Sequence, residues 1–121
     1  MPKYVAIGYG DQAGYDNTAP EVRDAAHKHD MSLQKDGVLM GIVGSPVQVR
    51  NTHAEEVTTS DGPFLRASLP VAGIAIFEAA SLPEAIEMMS RTPCAVANGV
   101  VEVWPLLDGG LRSVPHIDLL D

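Results

Sequence analysis

Apolar and polar residues follow two different periods along the chain, and each change of period marks a predicted element. Runs rich in β-branched and apolar residues predict four strands, at Tyr4–Tyr9, Val38–Val43, Val71–Ala79 and Gly99–Trp104. Between them, apolar residues recur at helical spacing over Ala19–Lys35 and Leu82–Arg91. The order strand, helix, strand therefore occurs twice.

Both predicted helices begin with the same signal. Thr18-Ala19-Pro20-Glu21 and Ser81-Leu82-Pro83-Glu84 each carry a hydroxyl residue, then a proline, then a glutamate three positions after the hydroxyl. This capping box satisfies amide groups that the first helical turn leaves free. Asp36-Gly37 predicts the end of the first helix, and Pro93 prevents the second from continuing.

Two β-α-β halves in series predict an α+β fold of the ferredoxin-like βαββαβ type, with both helices on one face of a largely antiparallel sheet. A weaker pair of strand candidates, Val47–Asn51 and Glu56–Thr59, predicts a hairpin insert between the halves. We expect one domain over residues 1–106 and a tail, residues 107–121, that packs on the domain or on a partner subunit.

The second face of the predicted sheet has no helix to cover it. Ile74, Ile76 and Glu78 share this face, and so do Val100, Glu102 and Trp104. An apolar sheet face of this size is usually buried by a second copy of the chain, so we expect a homodimer.

Charge excludes several classes of partner. Sixteen acidic and eight scattered basic residues give a net charge of −8, which argues against binding to nucleic acid or to an anionic membrane. No apolar run approaches the length of a membrane span. A single cysteine, Cys94, and the lack of a signal-like start favour the cytoplasm. No phosphate loop, serine elbow or zinc spacing is found, and we expect neither a metal nor a cofactor.

Two residues are candidates for catalysis. His29 interrupts the apolar stripe of the first helix one turn after Ala26, where an imidazole facing a pocket would act as a general base; the alternative is a structural histidine. Asp61 begins the string Asp61-Gly62-Pro63-Phe64, which predicts a turn that points Phe64 inward. Asp61 is thus either a turn former or a site residue.

Two carboxylates are candidates for ligand binding. Glu78 and Glu102 lie on strands that the ferredoxin-like order separates by one strand, which disfavours a shared proton or a tight metal site. The alternative is that both are structural acids at the dimer cavity, paired with Arg50 or Arg66.

Several strings, taken in order, resemble the YCII-related family and its DGPF branch. The likeness extends over about Lys3 to Leu106 and is carried by Val57–Phe64, Ala72–Ile74, Phe77–Ala79, Glu84–Ile86 and Val101–Pro105. The resemblance implies a dimeric ferredoxin-like α/β barrel. In the YCII branch it also implies small enzymes with a site centred on histidine and aspartate, one type of which is a lyase acting on a chlorinated hydroxymuconate.

The chain departs from that pattern at four positions. Ala26 stands where the YCII branch has its histidine, and Thr92-Pro93 replaces an Asp-Pro pair. Trp104 stands where arginine is usual, and Arg66 lies in a segment that is commonly acidic. The resemblance therefore implies a ligand preference that differs from that of most relatives.

The sequence as a whole predicts a cytoplasmic homodimer that binds a small organic ligand in a cavity between the sheet and the partner subunit. Proton-transfer chemistry of a lyase, isomerase or hydrolase is one interpretation, and a non-catalytic ligand-binding or assembly module is the other. The candidate residues are His29 and Asp61 for catalysis, and Arg50, Arg66, Glu78, Glu102 and Trp104 for ligand binding.

Overall fold

The computed structural model describes residues 1–107, which contain six strands and four helices. The predicted tail, from residue 108 onward, lies outside this range. A short 3-10 turn, Thr52–Ala54, lies between the third and fourth strands. In chain order the elements are β1 (Lys3–Tyr9), α1 (Gln12–Asp16), α2 (Pro20–Lys35), β2 (Leu39–Ile42), β3 (Val47–Arg50), β4 (Thr58–Asp61), β5 (Val71–Glu78), α3 (Leu82–Met89), α4 (Pro93–Val96) and β6 (Val100–Leu106).

Four strands form an antiparallel sheet in the order β2-β5-β1-β6. Val5 at the centre of β1 pairs with Ile76 on one side and Trp104 on the other. The predicted α+β class is confirmed, and the topology is compatible with the ferredoxin-like fold. Closure into a barrel and dimerisation stay predictions. The hairpin insert is present as β3 and β4, which pair only with each other.

The helices pack on one face of this sheet. There, Tyr4 and Phe77 stack with ring centroids 5.7 Å apart and form a core with Leu33 of α2 and Met89 of α3. On the other face Ile74, Ile76 and Trp104 are 40%, 42% and 53% exposed. The prediction that the helices leave this second face uncovered is therefore confirmed.

The two helix starts differ, although their sequences are alike. The hydroxyl half of the α3 cap is confirmed, because the Ser81 hydroxyl accepts from the amide of Glu84 at 3.3 Å. The glutamate half differs, since the Glu84 carboxylate accepts from the amide of Ala80, at 2.9 Å, and not from that of Ser81. The Thr18 cap is wrong: α2 begins after Ala19, and the Thr18 hydroxyl donates instead to the carbonyl of Gly14, at 2.9 Å. That carbonyl belongs to α1, a short helix that the sequence pattern did not predict.

The apolar stripe of α3 is only half buried. Helical spacing in the sequence predicts that Leu82, Ala85, Ile86 and Met89 all face the core, and this is wrong for two of them. Ala85 and Met89 face the core, whereas Leu82 and Ile86 are exposed. The end of α2 is as predicted, since Gly37 adopts a φ of 100° that suits glycine. None of the helices in residues 1–107 has the length and hydrophobicity that a membrane-spanning helix needs.

Candidate functional site

A cavity lies between the sheet and the helices, and small residues on the strands make room for it. Ala6 pairs with Ala75, and Gly8 with Gly73, in adjacent positions of β1 and β5. All four line a space of about 790 Å³. Since none of these residues extends beyond a methyl group, their side chains leave the volume above the strands unfilled.

Asp30 is the charged residue of α2 that lines this cavity. Its Oδ1 atom is buried, and the described residues offer it no hydrogen-bond donor. Burial raises the pKa of the Asp30 carboxyl above its ordinary value, although the neighbouring His27 and His29 act in the opposite direction. A buried acceptor without a donor is uncommon in a folded protein, and at a cavity wall it points to a bound ligand or water.

Three side chains beside the cavity contact one another in series. The hydroxyl of Tyr15 on α1 is hydrogen-bonded to Nε2 of His27 on α2, at 2.7 Å. The guanidinium of Arg23 stacks over the Tyr15 ring, 4.8 Å from its centre. These contacts hold α1 against α2 beside the opening, and Arg23 stays outside the cavity lining.

α1 is also tied to the far end of the chain. Its N-terminus is capped by Asp11, whose carboxylate accepts from the Gly14 amide at 2.8 Å. The Gly14 carbonyl accepts from Thr18 and, at 3.0 Å, from the side chain of Asn98. Asn98 has a positive φ of 61° at the turn that leads into β6. This turn therefore fixes the position of Tyr15.

Cys94 lies on α4 and faces the sheet across the cavity. A methyl group placed on Gly8 would be 2.8 Å from the Cys94 sulfur, so glycine is required for this close packing. Burial, and to a lesser extent the charge of Asp30, raise the pKa of the thiol. The raised pKa favours the thiol over the thiolate, which is the nucleophilic form of cysteine.

His29, the predicted base, lies next to a different cavity. Its Nε2 atom donates to the carbonyl of Met88 at 2.6 Å, because a carbonyl can only accept. The smaller cavity beside it has a volume of about 410 Å³ and includes Glu21 and Arg91 in its lining. The contact ties α2 to the end of α3, which is the behaviour of a structural histidine.

Asp61 ends β4 on the hairpin and lines neither of these cavities. The structure thus does not bring His29 and Asp61 to a common pocket. Gly62 has the expected positive φ, 95°, and its amide donates to the carbonyl of Pro46 at 3.0 Å. The prediction that Phe64 points inward is wrong: its side chain is 76% exposed, with the guanidinium of Arg50 5.8 Å from its ring centre.

The predicted ligand-binding residues fall into two groups. Arg50 lies on the hairpin and donates to Gln48 at 2.9 Å, and Arg66 is exposed in the loop after it. Neither pairs with Glu78 or Glu102, since the ion pair found in residues 1–107 joins Arg91 to Glu87.

Glu78, Glu102 and Trp104 lie on the open face of the sheet. One strand, β1, separates the two glutamates, as predicted. Glu102 accepts a hydrogen bond from the Tyr9 hydroxyl at 2.5 Å, and this bond is the main cause of a raised pKa of Tyr9. Glu102 thus has a partner within its own subunit.

Asp30 is the residue that sequence analysis missed. Helical spacing predicts a stripe of Val22, Ala26, His29 and Leu33 on α2, of which Val22 is 43% exposed. Ala26, Asp30 and Leu33 also follow helical spacing. The structure buries Ala26 and Leu33 and places Asp30 between them at the cavity. An aspartate within an apolar stripe was the available signal.

The family model of the YCII-related domain matches residues 2–108. The chain belongs to the YCII-related family. No curated protein matches it in sequence. In this YCII-related protein the main cavity lies along α2, the helix on which the resemblance places the branch's histidine. Residues 1–107 contain no group of three or more histidine, cysteine, aspartate or glutamate side chains placed to hold a metal ion.

Proposed function

We propose that this YCII-related protein binds a small organic molecule in the cavity over Asp30, and that Asp30 exchanges a proton with it. The observation that carries the proposal is Asp30 itself, which contributes to the wall of a cavity of about 790 Å³ and whose buried Oδ1 atom has no hydrogen-bond donor among residues 1–107. This volume suits a small ligand, since ligand pockets generally measure about 300–1,000 Å³.

The chemistry follows from the surroundings of Asp30. Burial raises the pKa of the Asp30 carboxyl, and a carboxylate with a raised pKa is a stronger base toward a proton of the ligand. The Asp30 carboxylate would take a proton from a carbon or oxygen of the ligand and return it at another position. An isomerisation or elimination of this kind needs no nucleophile, which is consistent with a Cys94 thiol whose pKa is raised by burial.

His29 and Asp61 remain predictions as a catalytic pair, and their separate surroundings favour Asp30 in the proton-transfer role. The alternative function is a non-catalytic ligand-binding or assembly module. It is supported by Ala26 and Thr92, which replace the histidine and aspartate that the resemblance associates with activity.

We further propose that the chain belongs to the DGPF branch and forms a cytoplasmic homodimer through the open face of its sheet, closing a barrel. The face is supported as an interface by a row of apolar side chains across all four strands, in the order Leu39, Ile76, Val5, Trp104. In such a dimer Glu78, Glu102 and Trp104 would line the space between the two sheets. Arg50 and Arg66 lie in the hairpin region, and only from there could they reach a ligand in that space. Light scattering should give twice the chain mass of 12.8 kDa.

A fragment screen tests the site of binding. Small organic molecules are titrated into the ¹⁵N-labelled protein, and hits should shift the amide signals of Gly8, Gly73 and Asp30. Ala75→Met, which fills the cavity, should remove these shifts, whereas Gly44→Ala should keep them because open space surrounds Gly44. Hits that shift only residues of the open face or the hairpin would contradict the proposal.

A second measurement separates the enzyme from the binding module. Hits with a C–H bond next to a carbonyl are incubated with the protein in deuterated water, and loss of the proton signal is followed by NMR. Exchange that disappears in Asp30→Asn supports proton transfer. Binding without exchange for every such hit supports the non-catalytic alternative.

A further inference from the structure

We infer that the cavity over Asp30 selects a small, mainly apolar molecule that carries an amine, in preference to a carboxylate or phosphate. This inference rests on the proposed function, because it takes the cavity as the ligand site. It adds the charge class of the ligand. The inferred ligand is positively charged, whereas the hydroxymuconate substrate that the resemblance implies is negatively charged.

The charges around the cavity favour a cation. Among the described lining residues the ionisable side chains are Asp11, Tyr15, His27, Asp30 and Cys94. No lysine or arginine of residues 1–107 contributes to the lining, and the whole chain carries a net charge of −8. An anionic ligand would lose its hydration and find no permanently charged cation in the lining that residues 1–107 form, where His27 is the one side chain that can carry a positive charge.

The Asp30 carboxyl, which lines the cavity and whose buried Oδ1 atom has no donor among residues 1–107, is the group that would attract a cation. This oxygen needs a donor, and a protonated amine supplies up to three N–H groups and a compensating charge. A carboxylate ligand would instead put two negative charges side by side, which forces one of them to take up a proton. A hydroxyl could donate to Asp30 but would leave its charge unbalanced.

The rest of the wall suits an apolar body. Three methionines, Met31, Met40 and Met89, line the cavity together with Val101. Methionine side chains adapt their shape and make favourable contacts with aromatic rings through sulfur. The paired glycines and alanines of β1 and β5 allow a flat group to approach the sheet closely. A molecule with a ring at one end and an amine at the other fits both parts of the site.

Three probes that share a benzyl group test the inference: benzylamine, benzyl alcohol and phenylacetate. Each is titrated into the ¹⁵N-labelled full chain, and its affinity is taken from the shifts of the Gly8, Gly73 and Ala75 amides. We expect benzylamine to bind at least about tenfold more tightly than phenylacetate, since a charged hydrogen bond contributes roughly 1.5–3 kcal/mol. Benzyl alcohol should lie between them.

Two variants on α2 separate a local charge effect from the general charge of the protein. Asp30→Asn and Asp24→Asn each remove one negative charge, but Asp24 lines neither cavity. Asp30→Asn should weaken benzylamine by about tenfold and leave benzyl alcohol nearly unchanged. Asp24→Asn should leave both affinities close to those of the unmodified protein.

Each outcome supports or overturns the inference. It is overturned if phenylacetate binds as tightly as benzylamine, if both variants weaken benzylamine equally, or if benzylamine shifts no cavity amide. When benzyl alcohol still shifts the cavity amides in those cases, the proposed binding site stands and only the charge class is wrong. If no fragment of any charge shifts them, the proposed function fails as well.

Discussion

One part of the helix-covered face of the four-stranded sheet is built from small residues, whereas the open face carries large ones. On the face toward the helices, Ala6, Gly8, Gly73 and Ala75 are small, and the gap above them is a cavity. On the open face, Ile74, Ile76 and Trp104 are large and exposed. Small residues under a helix create space for a ligand, whereas large residues without a helix create a need for a partner. Because side chains alternate between the two faces of a strand, one strand can line a ligand cavity on one face and contribute to a partner interface on the other.

Adjacent residues of β5 allow the sharpest comparison of the two faces. Phe77→Asp should unfold the protein, because Phe77 is buried in the core and the loss should exceed the roughly 3–5 kcal/mol of a Phe to Ala change. Ile76→Asp should keep the circular dichroism spectrum of the fold but reduce the mass in light scattering from dimer to monomer. If Ile76→Asp unfolds the chain as fully as Phe77→Asp, the open face contributes to folding as much as the covered face does, which contradicts the comparison.

The contact between Gly8 and Cys94 tests how closely the covered face is packed. Gly8→Ala should lower the free energy of unfolding by about 1–3 kcal/mol, because its methyl group would lie 2.8 Å from the Cys94 sulfur. In a Cys94→Ala background most of this cost should disappear, as a double-mutant cycle in urea would measure. Gly41→Ala, which meets no atom within 4 Å, is the control. Equal losses for Gly8→Ala in both backgrounds would contradict the contact.

Asp30 should make the covered face sensitive to pH. Its folded pKa is raised, so the folded state holds this proton more tightly than the unfolded state, and stability falls as pH rises from below the ordinary aspartate pKa to above the folded one. Asp30→Asn should remove that fall. The variant should be more stable than the unmodified protein at neutral pH, with the difference disappearing in acid. Urea midpoints across this range provide the measurement, and a pH-independent difference would contradict burial as the cause.

The smallest effect is expected on the open face, where Tyr9 donates to Glu102. Glu102→Gln should lower the pKa of Tyr9, because the hydrogen bond to a carboxylate and its negative charge both favour the protonated phenol. Ultraviolet titration of tyrosinate would show the change, and Tyr9→Phe would identify which of the three tyrosines is responsible. An unchanged titration in Glu102→Gln would mean that the two side chains do not bond in solution.

The strands and long helices could be predicted from sequence, because each repeats a pattern over many residues. The short helices α1 and α4 could not, since one turn contains no period to detect. Thr18 and Ser81 show the limit of local signals. Ser81 caps its helix, but the hydroxyl of Thr18 is drawn to the carbonyl of Gly14, a partner that only the folded chain supplies.

The candidate site was harder to predict than the fold. His29 and Asp30 are adjacent in α2, and helical spacing alone allows either to face the sheet. Two features determine which of the two side chains lies at the main cavity. The Met88 carbonyl of α3 accepts from His29, and the small residues of β1 and β5 open the space beside Asp30. Both causes are tertiary contacts between distant segments.

The strand order has a consequence for how the chain folds during synthesis. β1 pairs with β5 and β6, and β2 pairs with β5, so no two strands before Val71 pair within the four-stranded sheet. A nascent chain that ends before Val71 can form α2 and the β3–β4 hairpin but none of the main ladder. Long loops must then close before the central strand gains partners, which slows folding and leaves apolar strands exposed in the meantime. The N-terminal strand therefore becomes ordered only after most of the protein has been made.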